Sequence, residues 1–255
     1  MISAWSKQIL ERAAGGDPQR WQQLLARIEA GEPAAYVAEC LPFYGRWFGS
    51  DARAYITDPE ASVLIDQVLR QGDQLENQLG RPPRVMEFGV GAGTLAITVK
   101  LERPRWQLSG LDIDPPALDL AAENAALHGV ELDLVQSDFL DSWGERELPD
   151  LMFADPPWGD ENDLYDGERD AQYYHAMPAS SAFPRNGRTG IHDELLRRLV
   201  ASRWPCTIVL NYGILPLAEI QRSVACLPNC RIEPAHSADG SKLHLVIGGA
   251  QASIR

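Results

Sequence analysis

Apolar residues recur at helical spacing over Ile2–Ala14 and again over Pro18–Ala30, with Trp5, Ile9 and Leu10 on one inner face and Trp21, Leu24, Leu25 and Ile28 on the other. Gly31 stops the second run. At this spacing the tryptophans read as core anchors. The turn-rich aromatic stretch Phe43-Tyr44-Gly45-Arg46-Trp47-Phe48-Gly49 predicts a short hairpin that roofs a pocket. A connecting helix is predicted from Pro59 to Arg70, followed by a loop with Arg81-Pro82-Pro83. From Arg84 the period changes. Short apolar runs at Arg84–Phe88, Trp106–Leu111, Glu131–Gln136 and Asp150–Ala154 alternate with helical segments such as Leu120–Gly129, the pattern of a parallel sheet with helices on both faces. A long loop then runs to about Gly190, carrying Tyr165, Tyr173, Tyr174, His175 and Phe183; connections of that length are functional or disordered. A helix at Ile191–Val200, a strand at Cys206–Asn211, a helix near Leu215–Ser223 and end strands at Arg231–Pro234 and Leu243–Ile247 complete an α/β, Rossmann-like sheet. The expected division is 1–50 for a helical unit with its aromatic hairpin, 51–83 for a connecting segment and 84–255 for the sheet.

Composition narrows the partners. The chain has 255 residues, enough to bury a substantial core, and a net charge of −13 with lysine only at positions 7, 100 and 242. Affinity for phosphate backbones or anionic membranes rests on clustered Lys and Arg, so neither nucleic acid nor a membrane surface is expected as a partner. Arg185, Arg188, Arg197 and Arg198 form the densest basic stretch and read as a solvated, ion-paired face. No apolar run of about 18 residues and no signal-peptide pattern is present, which predicts a soluble, cytoplasmic protein. Cys40, Cys206, Cys226 and Cys230 are scattered and read as free thiols, and the histidines show no ligand spacing, so no metal is expected.

The candidate chemistry sits at strand ends. The first sheet strand breaks into Gly89-Val90-Gly91-Ala92-Gly93-Thr94, a loop whose glycines let backbone approach a ligand closely. A nicotinamide or flavin fingerprint wants glycine at the position of Thr94. The second strand ends in Asp112-Ile113-Asp114, placing a carboxylate where a ribose diol would lie, although Asp112 could instead cap the helix that starts at Pro115. The third delivers Ser137-Asp138-Phe139, a polar side chain and a ring suited to an adenine edge and face. The fourth delivers Asp155-Pro156-Pro157-Trp158, where Asp155 and the Pro156 carbonyl can accept from an N–H donor and Trp158 offers a flat face to a target or cation. Together these point to S-adenosylmethionine (SAM) as cofactor and to methyl transfer onto nitrogen.

Glu87-Phe88-Gly89-Val90-Gly91-Ala92-Gly93, Leu111-Asp112-Ile113-Asp114, Glu123-Asn124-Ala125-Ala126-Leu127, Ser137-Asp138 and Asp155-Pro156-Pro157-Trp158 resemble the successive motifs of class I SAM-dependent methyltransferases. Ala30-Gly31-Glu32-Pro33-Ala34-Ala35-Tyr36-Val37, Phe43-Tyr44-Gly45 and Ile56-Thr57-Asp58-Pro59-Glu60-Ala61-Ser62 are similar to the corresponding segments of the HemK/PrmC protein-(glutamine) N-methyltransferases. The resemblance implies a seven-stranded class I sheet and, as cofactor residues, Glu87, Gly89, Gly91, Gly93, Asp112, Ile113, Asp138 and Phe139. It places Asp155, Pro156 and Trp158 at the catalytic centre. Two departures stand out. That family carries Asn-Pro-Pro-Tyr, with an asparagine that grips a glutamine amide, and Pro-Arg-Pro-Glu-Thr, with an arginine where this chain has Asp58.

The charge reversal at Asp58 predicts a different acceptor, an amine or amide of a small molecule or amino acid, with Tyr44, Asp58, Tyr173 and Tyr174 as its contacts. Trp47 joins the tyrosines in the expected aromatic roof. Three alternatives remain open from the sequence. One is a SAM-consuming cyclase that closes azetidine-2-carboxylate and releases methylthioadenosine. The others are methylation of a protein glutamine, and a non-catalytic SAM-binding regulatory subunit.

Overall fold

The structure is a computed structural model that describes residues 2–165, 169–227, 229–237, 240 and 242–249. The chain opens with helices α1 (Ala4–Ala14), α2 (Pro18–Glu29) and α3 (Ala34–Ala38). Their starts follow from capping chemistry: the Ser3 hydroxyl accepts from the Ser6 N–H, and the Asp17 carboxylate accepts from the Gln19 and Arg20 amides beside Pro18. Trp5 packs against the main core, and Trp21 joins a small cluster with Leu10, Leu24 and Val37, so both serve as anchors.

Strands β1 (Cys40–Phe43) and β2 (Arg46–Gly49) form the expected hairpin through a Tyr44-Gly45 turn, with φ of 49° and 75°, the pair of left-handed conformations that matches strand twist. The hairpin does not roof the cavity. The Tyr44 hydroxyl donates to Asp66 Oδ1 at 2.7 Å, and the Trp47 ring carries the Arg12 guanidinium 4.5 Å from its centre. Neither residue lines the large cavity. Asn124 fixes the hairpin instead: its amide accepts from Gly49 N and donates to Gly49 O and to Ala92 O of the glycine loop.

A 3-10 turn at Pro59–Ala61 leads directly into α4 (Ser62–Leu79), which continues well past the predicted end at Arg70. Gly72 reads as a helix breaker by propensity, yet here it is buried and gives room to a ring. A Cβ at Gly72 would lie 2.0 Å from the Trp106 ring, whose indole N–H donates to Glu76 Oε2 at 2.8 Å one turn on.

The sheet is built from β3 (Arg84–Phe88), β4 (Gln107–Asp112), β5 (Asp133–Gln136), β6 (Leu151–Ala154), β7 (Thr207–Asn211), β8 (Arg231–His236) and β9 (Lys242–Gly249). Its order is β5-β4-β3-β6-β7-β9-β8. The first five are parallel, and β9 runs antiparallel to both neighbours. Buried on both faces, β6 is apolar at every position. Alternation assigns the faces: Val85, Leu151, Phe153 and Val209 pack under α4, α5 (Thr94–Glu102) and α6 (Pro115–His128), whereas Met86, Met152, Ile208 and Leu210 pack under α10 (Gly190–Ser202) and α11 (Leu217–Ser223).

The stretch expected as a loop to Gly190 carries short helices α7 (Glu161–Leu164), α8 (Ala171–His175) and α9 (Ala179–Ala182); its residues 166–168 lie outside the described residues. Arg188 pins it down, pairing with Asp163 and, at 2.7 Å, with Glu219 on α11. Tyr174 is buried within it, stacked on Tyr165 with ring centres 5.6 Å apart. Helical spacing is hard to read over elements of four or five residues, which is why the sequence pattern passed them over.

Candidate active site

A cavity of about 610 Å³ opens at the C-terminal ends of β3, β4, β5, β6 and β7, the edge where open parallel sheets bind ligands. The glycine loop forms one side. Gly89 (φ 73°) and Gly91 (φ 50°) both line the cavity, and a Cβ at either would meet no atom within 4 Å. The loop thus presents a backbone cradle facing open space. Gly93, expected as a third cofactor contact, does not line the cavity; its Cβ would come within 3.1 Å of Ala121 and Ile97, so its role is the close approach of α5 to α6. Glu87 lines the cavity floor and its Oε2 accepts from the Ala96 N–H at 2.8 Å, fixing the start of α5. Burial, helped by Asp155 and Asp112, pushes its carboxyl well above the usual range, while the Ala96 bond opposes this.

Asp112 does not cap α6; that position is Asp114, whose side chain makes no capping bond. Asp112 holds the loop, with Oδ2 accepting from Gly91 N at 2.8 Å and Oδ1 from Asp114 N at 3.0 Å. Burial raises its carboxyl, and those amides pull it back. Each oxygen keeps a lone pair for a further donor. Ile113, Asp138 and Phe139 also line the cavity, and Phe139, at φ 52°, stacks on Phe88 with centres 5.4 Å apart. The open cradle, the Asp112 carboxylate and the apolar slot by Ile113 and Phe139 fit a nucleoside carrying a flexible charged tail.

Asp155 lines the same cavity at the end of β6. Its Oδ1 accepts from Asn211 Nδ2 at 2.8 Å. Burial is the main cause that pushes it up to about 7; Asp58 and Glu60 add to the rise and the Asn211 bond opposes it. Asn211 was not singled out from the sequence, although it ends the apolar β7 run at the sheet's ligand edge. It is locked in place from both sides: its Oδ1 accepts from Gly213 N at 3.0 Å, and the buried His192 ring bonds to its carbonyl at 2.7 Å. Burial holds His192 down at about 4, so the ring is neutral and donates through Nε2. Pro156 and Trp158 line the cavity, and Trp158 lies flat against Gly213, where a Cβ would come within 2.1 Å of the indole.

Asp58 lines the cavity as expected, but it is an ion-paired residue. Arg169, from the segment before α8, donates to its Oδ1 at 2.9 Å, and the Tyr55 hydroxyl donates to Oδ2 at 3.1 Å. Glu60 lies 3.8 Å from Arg169. Tyr55, Glu60 and Arg169 are cavity residues the sequence pattern did not expose, because nothing local links position 58 to position 169. Tyr174 lines the cavity, whereas Tyr173 packs edge-on against it at 5.4 Å and stays out. The wall predicted for the hairpin is therefore made by the 159–190 segment, through Tyr174, Pro178, Ser180 and Ala182. Ser180 reaches across to donate to Asp114 Oδ2 at 3.1 Å. Among the described residues no helix is long and apolar enough to cross a membrane, and no group of three or more His, Cys, Asp or Glu could hold a metal.

Comparison with known proteins agrees with this layout. The methyltransferase small domain family matches residues 61–167. Release factor glutamine methyltransferase of Neisseria gonorrhoeae is 32% identical over 175 residues, covering 65% of this chain and 60% of that protein. The enzyme of the same name from Nitratidesulfovibrio vulgaris is 32% identical over 197 residues, covering 76% and 62%. The aligned region thus spans about 60% of the length of these curated relatives. Among solved structures, the T. thermophilus 16S rRNA N2 G1207 methyltransferase in complex with AdoMet and guanosine superposes with a TM-score of 0.52 at 13% identity, covering 83% of this chain and 50% of that one, a likeness of fold alone. The sheet order, the glycine cradle and these matches relate the chain to the class I SAM-dependent methyltransferases. Within that class the matched region is similar to the HemK/PrmC glutamine methyltransferases, and SAM is the cofactor that this relationship supports.

Proposed function

We propose that the protein transfers the methyl group of SAM to a nitrogen acceptor held at Asp155. The observation that carries this is the joining, in one cavity, of the open glycine cradle and the Asp155-Pro156-Pro157-Trp158 turn. In this reading the backbone at Gly89 and Gly91 lies under the cofactor, Asp112 accepts from its ribose hydroxyls, Ile113 and Phe139 flank the adenine, and Asp138 meets the adenine edge. Asp155 and the Pro156 carbonyl accept from the acceptor's N–H groups, aiming the nitrogen lone pair, and Trp158 supplies a flat face beside it. Bound SAM supplies a methyl group on a sulfonium, so that in-line attack forms the C–N bond while the C–S pair returns to sulfur. The protein's part is to hold the two partners in line, an effect worth up to about 7–11 kcal/mol in well-oriented systems.

The relatives reported above are named for action on a protein glutamine, which makes a polypeptide-borne acceptor part of the reading. None of them is named for a small-molecule acceptor or for cyclisation. The ion pair with Arg169 also removes the argument that the charge at Asp58 by itself selects a small amine. The test is mass spectrometry of reactions containing methyl-labelled SAM. With release factor protein or n-butylamine present, label should move to nitrogen and S-adenosylhomocysteine should appear. Rapid enzyme-dependent methylthioadenosine with no acceptor present would overturn methyl transfer.

Asp112→Ala is expected to weaken SAM by about 1.5–3 kcal/mol, an affinity loss of roughly tenfold or more. Because Asp112 also accepts from Gly91 N and Asp114 N, the ligand-free melting temperature should fall with it. Calorimetric titration and a thermal melt read the two effects separately, and unchanged SAM affinity would remove Asp112 from the cofactor site.

A further inference from the structure

The cavity is lined near the Asp155-Pro156-Pro157-Trp158 turn by three carboxylates, Asp155, Asp58 and Glu60, and Arg169 pairs with Asp58 and Glu60. Hydrogen-bond inventory matters as much as charge. A carboxamide presents N–H donors and a carbonyl acceptor together, and an asparagine side chain answers both. A carboxylate accepts only. Asn211 already donates to Asp155 Oδ1, so what Asp155 offers an incoming group is further acceptor capacity, chiefly at Oδ2. An amide carbonyl set against it would meet negative charge with no donor, whereas an ammonium group presents donors alone. Trp158, which lines the cavity, adds a ring that attracts a cation.

We propose that the acceptor is an aliphatic amine bound as its cation, and that Asp155 takes its proton before methyl transfer. The inference rests on the reading of the cavity as a methyl-transfer site. An ammonium nitrogen has no lone pair. Its N–H bond must break first, leaving the pair on nitrogen and placing the proton on Asp155 Oδ2. The neutral amine then attacks the methyl carbon, the C–S pair leaves with sulfur, and the product departs as a methylated ammonium. Asp155 returns its proton to water. Burial raises Asp155 and, by the same cause, lowers an enclosed amine, so their proton affinities converge. The groups facing Asp155 are Asn211 from β7, Tyr55, Asp58 and Glu60 from the segment ahead of α4, and Glu87 from β3. The three carboxylates favour proton uptake, and Asn211 opposes it.

The test compares n-butylamine with butanamide, probes of similar length, by ligand-observed NMR at pH 8 with saturating S-adenosylhomocysteine. The wild-type protein should prefer n-butylamine by about tenfold or more, an advantage that Asp155→Asn should abolish or reverse. Below pH 6 wild-type affinity for n-butylamine should fall as Asp155 takes up a proton, although the probe stays cationic. Butanamide bound as well as n-butylamine, an undiminished amine preference in Asp155→Asn, or binding of neither probe would overturn the inference. Failure of S-adenosylhomocysteine to bind the wild type would instead strike the underlying reading. Should Asp155→Asn fail to bind S-adenosylhomocysteine, Glu60→Gln serves as the second variant, with a severalfold loss of amine preference expected and no loss counting against the inference. N-acetyl-lysine methylamide bound more tightly than n-butylamine places the amine on a polypeptide, and the reverse order makes it a free amine; both uphold the inference.

Discussion

At pH 8.5 the ligand-free Asp155→Asn protein is expected to melt several degrees above the wild type while losing methyl transfer. Burial holds the Asp155 carboxyl up at about 7, against about 3.9 in an unfolded chain. A raised acid contributes stability that is fully present below the unfolded value and is lost as pH rises through the folded one. Near pH 4 wild type and variant should therefore be alike. Between about pH 4 and 7 the unfolded chain ionises first, and the wild type falls behind. Above 7 the full difference remains, at most about 4 kcal/mol for a shift of this size. An asparagine keeps an oxygen to accept from Asn211 and carries no charge at any pH. The melting gap between the proteins, followed from pH 4.5 to 8.5, checks the sign: a gap that does not grow with pH would mean that burial of the charge is not what perturbs Asp155. Turnover should fall by about 10²–10⁴, the usual contribution of a positioned proton acceptor.

Gly91→Val is expected to abolish SAM binding while leaving the fold largely formed. No atom lies within 4 Å of a Cβ at Gly91, so nothing in the protein collides with the new side chain. The space it enters is the cavity. A β-branched residue at φ 50° costs about 1–3 kcal/mol of strain, which a chain with a core of this size can absorb. The loss of affinity should exceed about a hundredfold, about 2.8 kcal/mol, because the cofactor cannot approach backbone through a valine. Gly93→Ala gives the contrast. Its Cβ would press on Ala121 and Ile97 at 3.1 Å, so its effect should appear first in the melting temperature. Calorimetric titration of Gly91→Val with SAM decides the matter, and wild-type affinity would remove the loop from the cofactor site.

Several expectations from the sequence depended on chemistry confined to a few neighbouring residues. The β3 strand breaking at Gly89, the carboxylate at the end of β4 and the Asp155 turn after β6 are each set by a local run, because apolar stretches specify strands and positive φ selects glycine. That these strands run parallel followed from the alternation of those runs with helices, whereas their order in the sheet came from the tertiary structure. Local propensity misled where packing overrode it: α4 runs through Gly72 because the Trp106 ring needs that space, a contact between positions 34 residues apart.

The surroundings of Asp155 were fixed by contacts that no local pattern encodes. Arg169 reaches Asp58 across 111 positions, so a residue that reads as a free negative charge is one half of an ion pair. Asn211 reaches Asp155 across 56, and with burial and two neighbouring carboxylates it sets where that acid titrates. The aromatic hairpin had the composition of a roof, yet Asn124 holds it against the back of the glycine loop, and the segment with the buried Tyr174 took its place at the cavity. The sequence by itself determined the sheet strands, the glycine loop after β3 and the place of Asp155 at the end of β6, since each depends on neighbouring residues alone. Which side chains close the cavity, and with what charge, only the tertiary structure decided, because burial and ion pairing are properties of residues brought together from distant parts of the chain.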